Sequence, residues 1–115
     1  MRVLITDGNE RAALAVTRAL GRENVEVIVG AESERSLAGS SRYCRQSFVY
    51  PSPYQEPDGF VSRLLEMLRN DDVDAVFPIS DIAMHVIGPE RAHLERHTRI
   101  PAPPAEVFQE ISDKY

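Results

Sequence analysis

The sequence predicts a doubly wound α/β domain of three layers, with a sheet of four or five mostly parallel strands. Three observations carry that expectation. Val3-Leu4-Ile5 and Ala75-Val76-Phe77-Pro78-Ile79 are short, wholly apolar runs of the kind found in strands buried on both faces. Segments with helical spacing alternate with such runs along the chain. Both runs also end in polar turn residues, Asp7-Gly8-Asn9 and Ser80-Asp81, directly ahead of a helix.

The elements follow in order. After the first strand, Ala12, Val16, Ala19 and Leu20 form one apolar stripe of a helix, and Gly21 and Asn24 supply stop signals. Val25 to Val29 reads as a second strand ending at Gly30, spaced from the first as in a βαβ unit and therefore parallel to it. Ala31 to Gln46 is polar and aperiodic, a long loop with a helical turn expected around Arg35 to Ala38. Ser47 to Tyr50 predicts a short edge strand closed by Pro51 and Pro53. Phe60, Val61, Leu64, Leu65 and Leu68 mark a second helix, with Asp58 as its expected cap. A third begins at Ile82 and should be divided by Gly88-Pro89. Thr98 to Pro101 is a candidate last strand, and Pro103-Pro104 opens a final helix carrying Val107, Phe108 and Ile111.

Composition narrows the function classes. The 115 residues are one domain's worth. Thirteen basic against eighteen acidic side chains give a net charge of -5, which argues against a nucleic-acid surface. Arg35, Arg42 and Arg45 gather in one segment, where they fit a small anion better than a duplex. No stretch is long and apolar enough for a signal peptide or a membrane span. The single cysteine, Cys44, excludes an internal disulfide and reads as a small buried hydrophobe. A reducing cytoplasm is the expected compartment.

Three site chemistries fail on spacing. Dinucleotide binding requires Gly-x-Gly-x-x-Gly in the first turn, and this turn offers only Gly8, with Glu32 slightly beyond the place for a ribose-binding acid. His93 and His97 stand four apart, but the intervening glutamate is misplaced for a zinc-protease helix and a third ligand is lacking. Asp7 and Asp81 lack the adjacent acidic pair of a phospho-acceptor domain.

Several motifs taken together carry a resemblance. Thr6-Asp7-Gly8-Asn9 with Arg11-Ala12, Ser41-Arg42-Tyr43 followed by Pro51-Ser52-Pro53, Pro78-Ile79-Ser80-Asp81, and Ser112-Asp113-Lys114 occur in the order seen in ATP-grasp enzymes. Over essentially its whole length the chain resembles their amino-terminal domain, the Rossmann-like segment before the ATP-binding part, and most closely that of carbamoyl-phosphate-synthase-like ligases. The resemblance implies residues 1–111 as this pre-ATP-grasp domain and 112–115 as the start of a truncated ATP-grasp domain. It implies a parent enzyme that activates a carboxylate as an acyl phosphate and passes it to an amine. ATP and Mg²⁺ would be held by lobes outside this chain, which alone would not be catalytic. The partners expected are a small carboxylate or amine substrate, with a homodimer left open and neither nucleic acid nor membrane.

Within that frame the candidate substrate-binding residues are Asp7, Gly8, Asn9, Arg42, Ser80 and Asp81. The first turn can present backbone N–H groups at a helix start to an anion. Alternatively, Asp7 or Asn9 merely caps that helix while Gly8 takes positive φ. Ser80 or Asp81 can likewise cap a helix or hydrogen-bond a substrate amine. Arg42 can hold a carboxylate bidentately or remain a solvated surface arginine. A different class of function, a non-catalytic α/β domain binding a small ligand or a protein, would use the same two turns.

Overall fold

The computed structural model describes residues 1–100. Four strands, β1 (Arg2–Ile5), β2 (Glu26–Ala31), β3 (Cys44–Val49) and β4 (Ala75–Phe77), form one sheet in the order β3-β2-β1-β4. Every pairing is parallel. The predicted doubly wound α/β class is therefore what the chain adopts, and the expected final helix and the 112–115 segment lie outside the described residues.

Alternation along the central strands assigns the two faces. Val3 and Ile5 of β1 and Val27 and Val29 of β2 point to one side, where Ala13 and Val16 of α1 (Arg11–Arg22) cover them. Leu4 and Ile28 point to the other, against Phe60, Leu64 and Leu68 of α2 (Pro57–Asn70). Ala83 and Ile87 of α3 (Asp81–Ile87) join that second cluster, as does Leu94 of α4 (Arg91–Leu94). Burying both faces is why these strands read as continuous apolar runs.

Several boundaries differ from the sequence expectation. β2 continues through Gly30 to Ala31, because a bare backbone there lets the rings of Phe48 in β3 and of Tyr50 just after it approach: a Cβ on Gly30 would lie 2.7 Å from Phe48 Cζ and from Tyr50 Cε2. β3 begins at Cys44, three residues before the expected Ser47. Arg45, Gln46 and Ser47 are all exposed, so this edge strand shows no apolar run to announce it. Cys44 is half-buried rather than fully enclosed. The helical turn in the preceding loop lies at Ser36–Ser40, closed by the Ser40 N–H donating to the Ser36 carbonyl at 3.0 Å, and a second turn, closed by the Cys44 N–H donating to the Ser41 carbonyl at 3.0 Å, enters β3. β4 ends at Phe77, leaving Pro78 and Ile79 beyond the ladder. The cap position of α2 is Glu56, with Asp58 inside the first turn. Gly88–Glu90 forms the expected break, a 3₁₀ turn between α3 and α4. Arg99 makes a single parallel bridge to Ala75, so the expected strand at Thr98 to Pro101 contributes one pair on the outer edge of β4.

Candidate functional site

In a parallel sheet all strands end on one side, and the order β3-β2-β1-β4 reverses between β1 and β4. That reversal is the switch point where doubly wound sheets leave a crevice. The polar corners after β1 and β4 both stand there and touch. Asp7 Oδ2 accepts from the Ser80 N–H at 2.9 Å and from the Thr6 hydroxyl at 2.5 Å, while Thr6 Oγ1 accepts from the Ile79 N–H at 2.9 Å. Thr6 is fully buried, so its bond to Ile79 belongs to the interior, while Asp7 and Ser80 are half-buried at the surface of the crevice.

The first corner departs from both of its capping expectations. Asp7 itself has positive φ, 59°, and no glycine of the described residues does. Aspartate tolerates the left-handed region better than most residues, and here its side chain is anchored by the bonds just described. The cap position of α1 is Glu10, with no side-chain cap bond, so neither Asp7 nor Asn9 caps that helix. Gly8 is required for space instead: a Cβ there would stand 2.6 Å from Ser36 Oγ and 2.8 Å from Val29 Cγ1.

The amides of the turn are largely occupied. The Asp7 N–H donates to the Tyr50 hydroxyl at 2.7 Å, the Gly8 N–H to the Gly30 carbonyl at 3.0 Å and the Glu10 N–H to the Asp7 carbonyl at 2.9 Å. Only Asn9 and the first residues of α1 retain amides for a ligand. At the second corner Ser80 caps α3, its hydroxyl accepting from the Ala83 N–H at 3.1 Å, and Asp81 is the exposed first residue of that helix.

Beside these corners is a hollow of about 170 Å³ bordered by Asp7, Gly8, Asn9, Glu10, Glu32 and Tyr50. Its electrostatics are acidic. Partial burial, with the nearby Asp7 and Asp81 carboxylates, pushes the Glu10 carboxyl above its ordinary value. Burial, reinforced by Asp7, pushes the Tyr50 hydroxyl well above the usual phenol range, so it stays protonated. Such a hollow favours a cationic or hydrogen-bond-donating group over an anion.

The structure thus brings together Asp7, Gly8, Asn9, Ser80 and Asp81, and it separates Arg42 from them. Arg42 precedes β3, whose first residue pairs with Val27 near the start of β2, so it stands at the amino end of the sheet. Thr6, Glu10, Glu32 and Tyr50 are the site-forming residues that turn-based reasoning missed. Tyr50 had one signal, its place two residues after Phe48 on the same face of an expected strand.

No family model matches the sequence, and no curated protein does. Solved structures do resemble it. A glycinamide-RNase-transformylase T from Mycobacterium tuberculosis superposes with a TM-score of 0.57 at 17% identity, covering 87% of this chain and 28% of its own. An L-amino acid ligase from Bacillus licheniformis superposes with a TM-score of 0.63 at 9% identity, covering 97% of this chain and 26% of its own. At such identities the likeness establishes the shared α/β fold. The chain spans about a quarter of the length of these neighbours.

Proposed function

We propose that this chain is the substrate-side, amino-terminal domain of an ATP-grasp ligase of the carbamoyl-phosphate-synthase-like kind, a cytoplasmic enzyme that joins a carboxylate to an amine through an acyl phosphate. The observation that carries the proposal is the contact between the two strand-end corners, Asp7 Oδ2 to the Ser80 N–H at 2.9 Å, at the switch point of the sheet. Similarity of fold to an L-amino acid ligase over nearly the whole chain supports the same reading. The domain in this proposal is residues 1–111, with 112–115 leading into the ATP-binding part.

Of the two substrates, the acidic hollow suits the amine. Asp7, Glu10 and Glu32 in the hollow, with Asp81 close enough to act on Glu10, would attract an ammonium group to the crevice. The acidic hollow beside the two corners does not fit ATP and Mg²⁺. The hollow is small and ringed by carboxylates that repel phosphates, and among the described residues no group of three or more His, Cys, Asp or Glu is placed to hold a metal ion. In this reading the nucleotide is held by other parts of the enzyme.

The test joins this chain to its ATP-binding lobes and follows ADP release. Release should require a carboxylate and an amine together, and Asp81→Asn should raise KM for the amine about tenfold with kcat little changed. ADP release indifferent to the amine, or micromolar binding of ATP with NMR shifts centred on Asp7, Gly8 and Ser80, would overturn the assignment.

A further inference from the structure

An open groove of about 520 Å³ lies at the opposite end of the sheet, between the carboxyl half of α1 and the turn entering β3. Arg18, Arg22, Ser40, Ser41, Arg42 and Tyr43 line it. Its two walls are in close contact, since a Cβ on Gly21 would lie 2.5 Å from Tyr43 Cγ. The guanidinium of Arg42 stands 4.9 Å from the Tyr43 ring centroid and donates to the Tyr43 hydroxyl at 2.9 Å. The Ser41 hydroxyl accepts from the Tyr43 N–H at 3.2 Å, which leaves its own hydrogen for another acceptor.

What distinguishes this groove is unanswered positive charge. The ion pairs of the described residues engage Arg2, Arg45, Arg63 and Arg91, and none involves Arg18, Arg22 or Arg42. In a chain with more acids than bases, three guanidinium groups left together without a carboxylate repel one another. The helix dipole accounts for Arg22 in the last turn of α1, but not for Arg18 one turn earlier or Arg42 on another segment. One arginine fork satisfies a monocarboxylate, whereas three from two segments match a tetrahedral dianion with several oxygens. An adjoining hollow of about 350 Å³ shares Arg18 and Arg22 and adds Leu14, Ala15 and the exposed Leu37.

We propose that this groove binds the phosphate group of a small organic phosphate monoester, whose carbon skeleton lies over Leu14, Ala15 and Leu37. The site is separate from the crevice at the carboxyl ends of the strands, and it gives Arg42 an anion to hold there.

The test is an NMR titration of the isotope-labelled chain at fixed ionic strength with phenyl phosphate, inorganic phosphate and malonate. Phenyl phosphate should give saturable shifts at Arg18, Arg22, Ser41 and Tyr43 and in the methyl groups of Leu14 and Leu37, and should bind more tightly than either other anion. Arg18→Ala and Arg42→Ala should each weaken it about tenfold, while Arg35→Ala, outside the groove, leaves it unchanged. Arg42→Ala also loosens Tyr43, so the exposed Arg18, whose side chain makes no hydrogen bond among the described residues, carries the decision. Absence of saturation, equal binding of malonate, no effect of Arg18→Ala, or shifts confined to Asp7 and Ser80 would overturn the site. Equal binding of inorganic phosphate would overturn the organic ester.

Discussion

Asp7 combines a left-handed backbone with four hydrogen bonds, one through its N–H, one through its carbonyl and two through a single carboxylate oxygen. Alanine there would leave the Ser80 N–H without its acceptor and keep the unfavourable φ, so Asp7→Ala should destabilise the fold by about 2 to 4 kcal/mol. An asparagine side chain at the same position would retain an acceptor and the tolerance for positive φ. Asp7→Asn should therefore lose less than half as much, as read from urea unfolding midpoints. Glu10 makes the opposite kind of contribution. Its carboxyl is raised in the folded state, so the stability it contributes is fully present below the unfolded value of 4.5 and is lost as pH rises through the folded one. Glu10→Gln should flatten the decline of stability above that pH and leave the fold more stable at neutrality, measured by denaturation across pH 4 to 8.

The two corners are built by different means, and substitutions at element level should show it. Ser80 stabilises α3 by a side-chain cap, so Ser80→Ala should cost about 1 kcal/mol and speed amide exchange at Ala83. Gly8 contributes through its backbone alone, and Gly8→Ala forces a methyl group against Ser36 and Val29 and should cost about 1 to 3 kcal/mol by thermal unfolding. Because Gly8 does not have positive φ, replacing Ser36 with a smaller residue should recover part of that loss. The strands β1 and β4 and the corners after them were legible from Val3 to Asn9 and from Ala75 to Asp81, since local runs and turn chemistry define them. β3 was only half legible. It is an edge strand with one partner, and Arg45, Gln46 and Ser47 owe their extended form to pairing with β2 rather than to their own pattern.

At the scale of the whole molecule, parallel topology decides which residues meet. It returns the chain to the amino end of the sheet before β3, which is why Arg42 and Asp7 part company although each is a reasonable ligand from sequence alone. It also brings Tyr50, 43 positions away, onto the Asp7 N–H, a contact that no local pattern announces. Flanked on both sides, β1 should exchange its amides at least about tenfold more slowly than the edge strand β3, as followed by hydrogen exchange. The buried phenol of Tyr50, edge-on to Phe60 at 4.7 Å between centroids, has one more consequence. The chain contains no tryptophan, so tyrosine dominates its near-ultraviolet spectrum. On alkaline titration Tyr43 should ionise early, helped first by its hydrogen bond from Arg42, whereas Tyr50 should hold its proton until the fold opens. Phenolate absorbance then becomes a built-in optical gauge, its last step marking the moment when the interior beneath the crevice admits water.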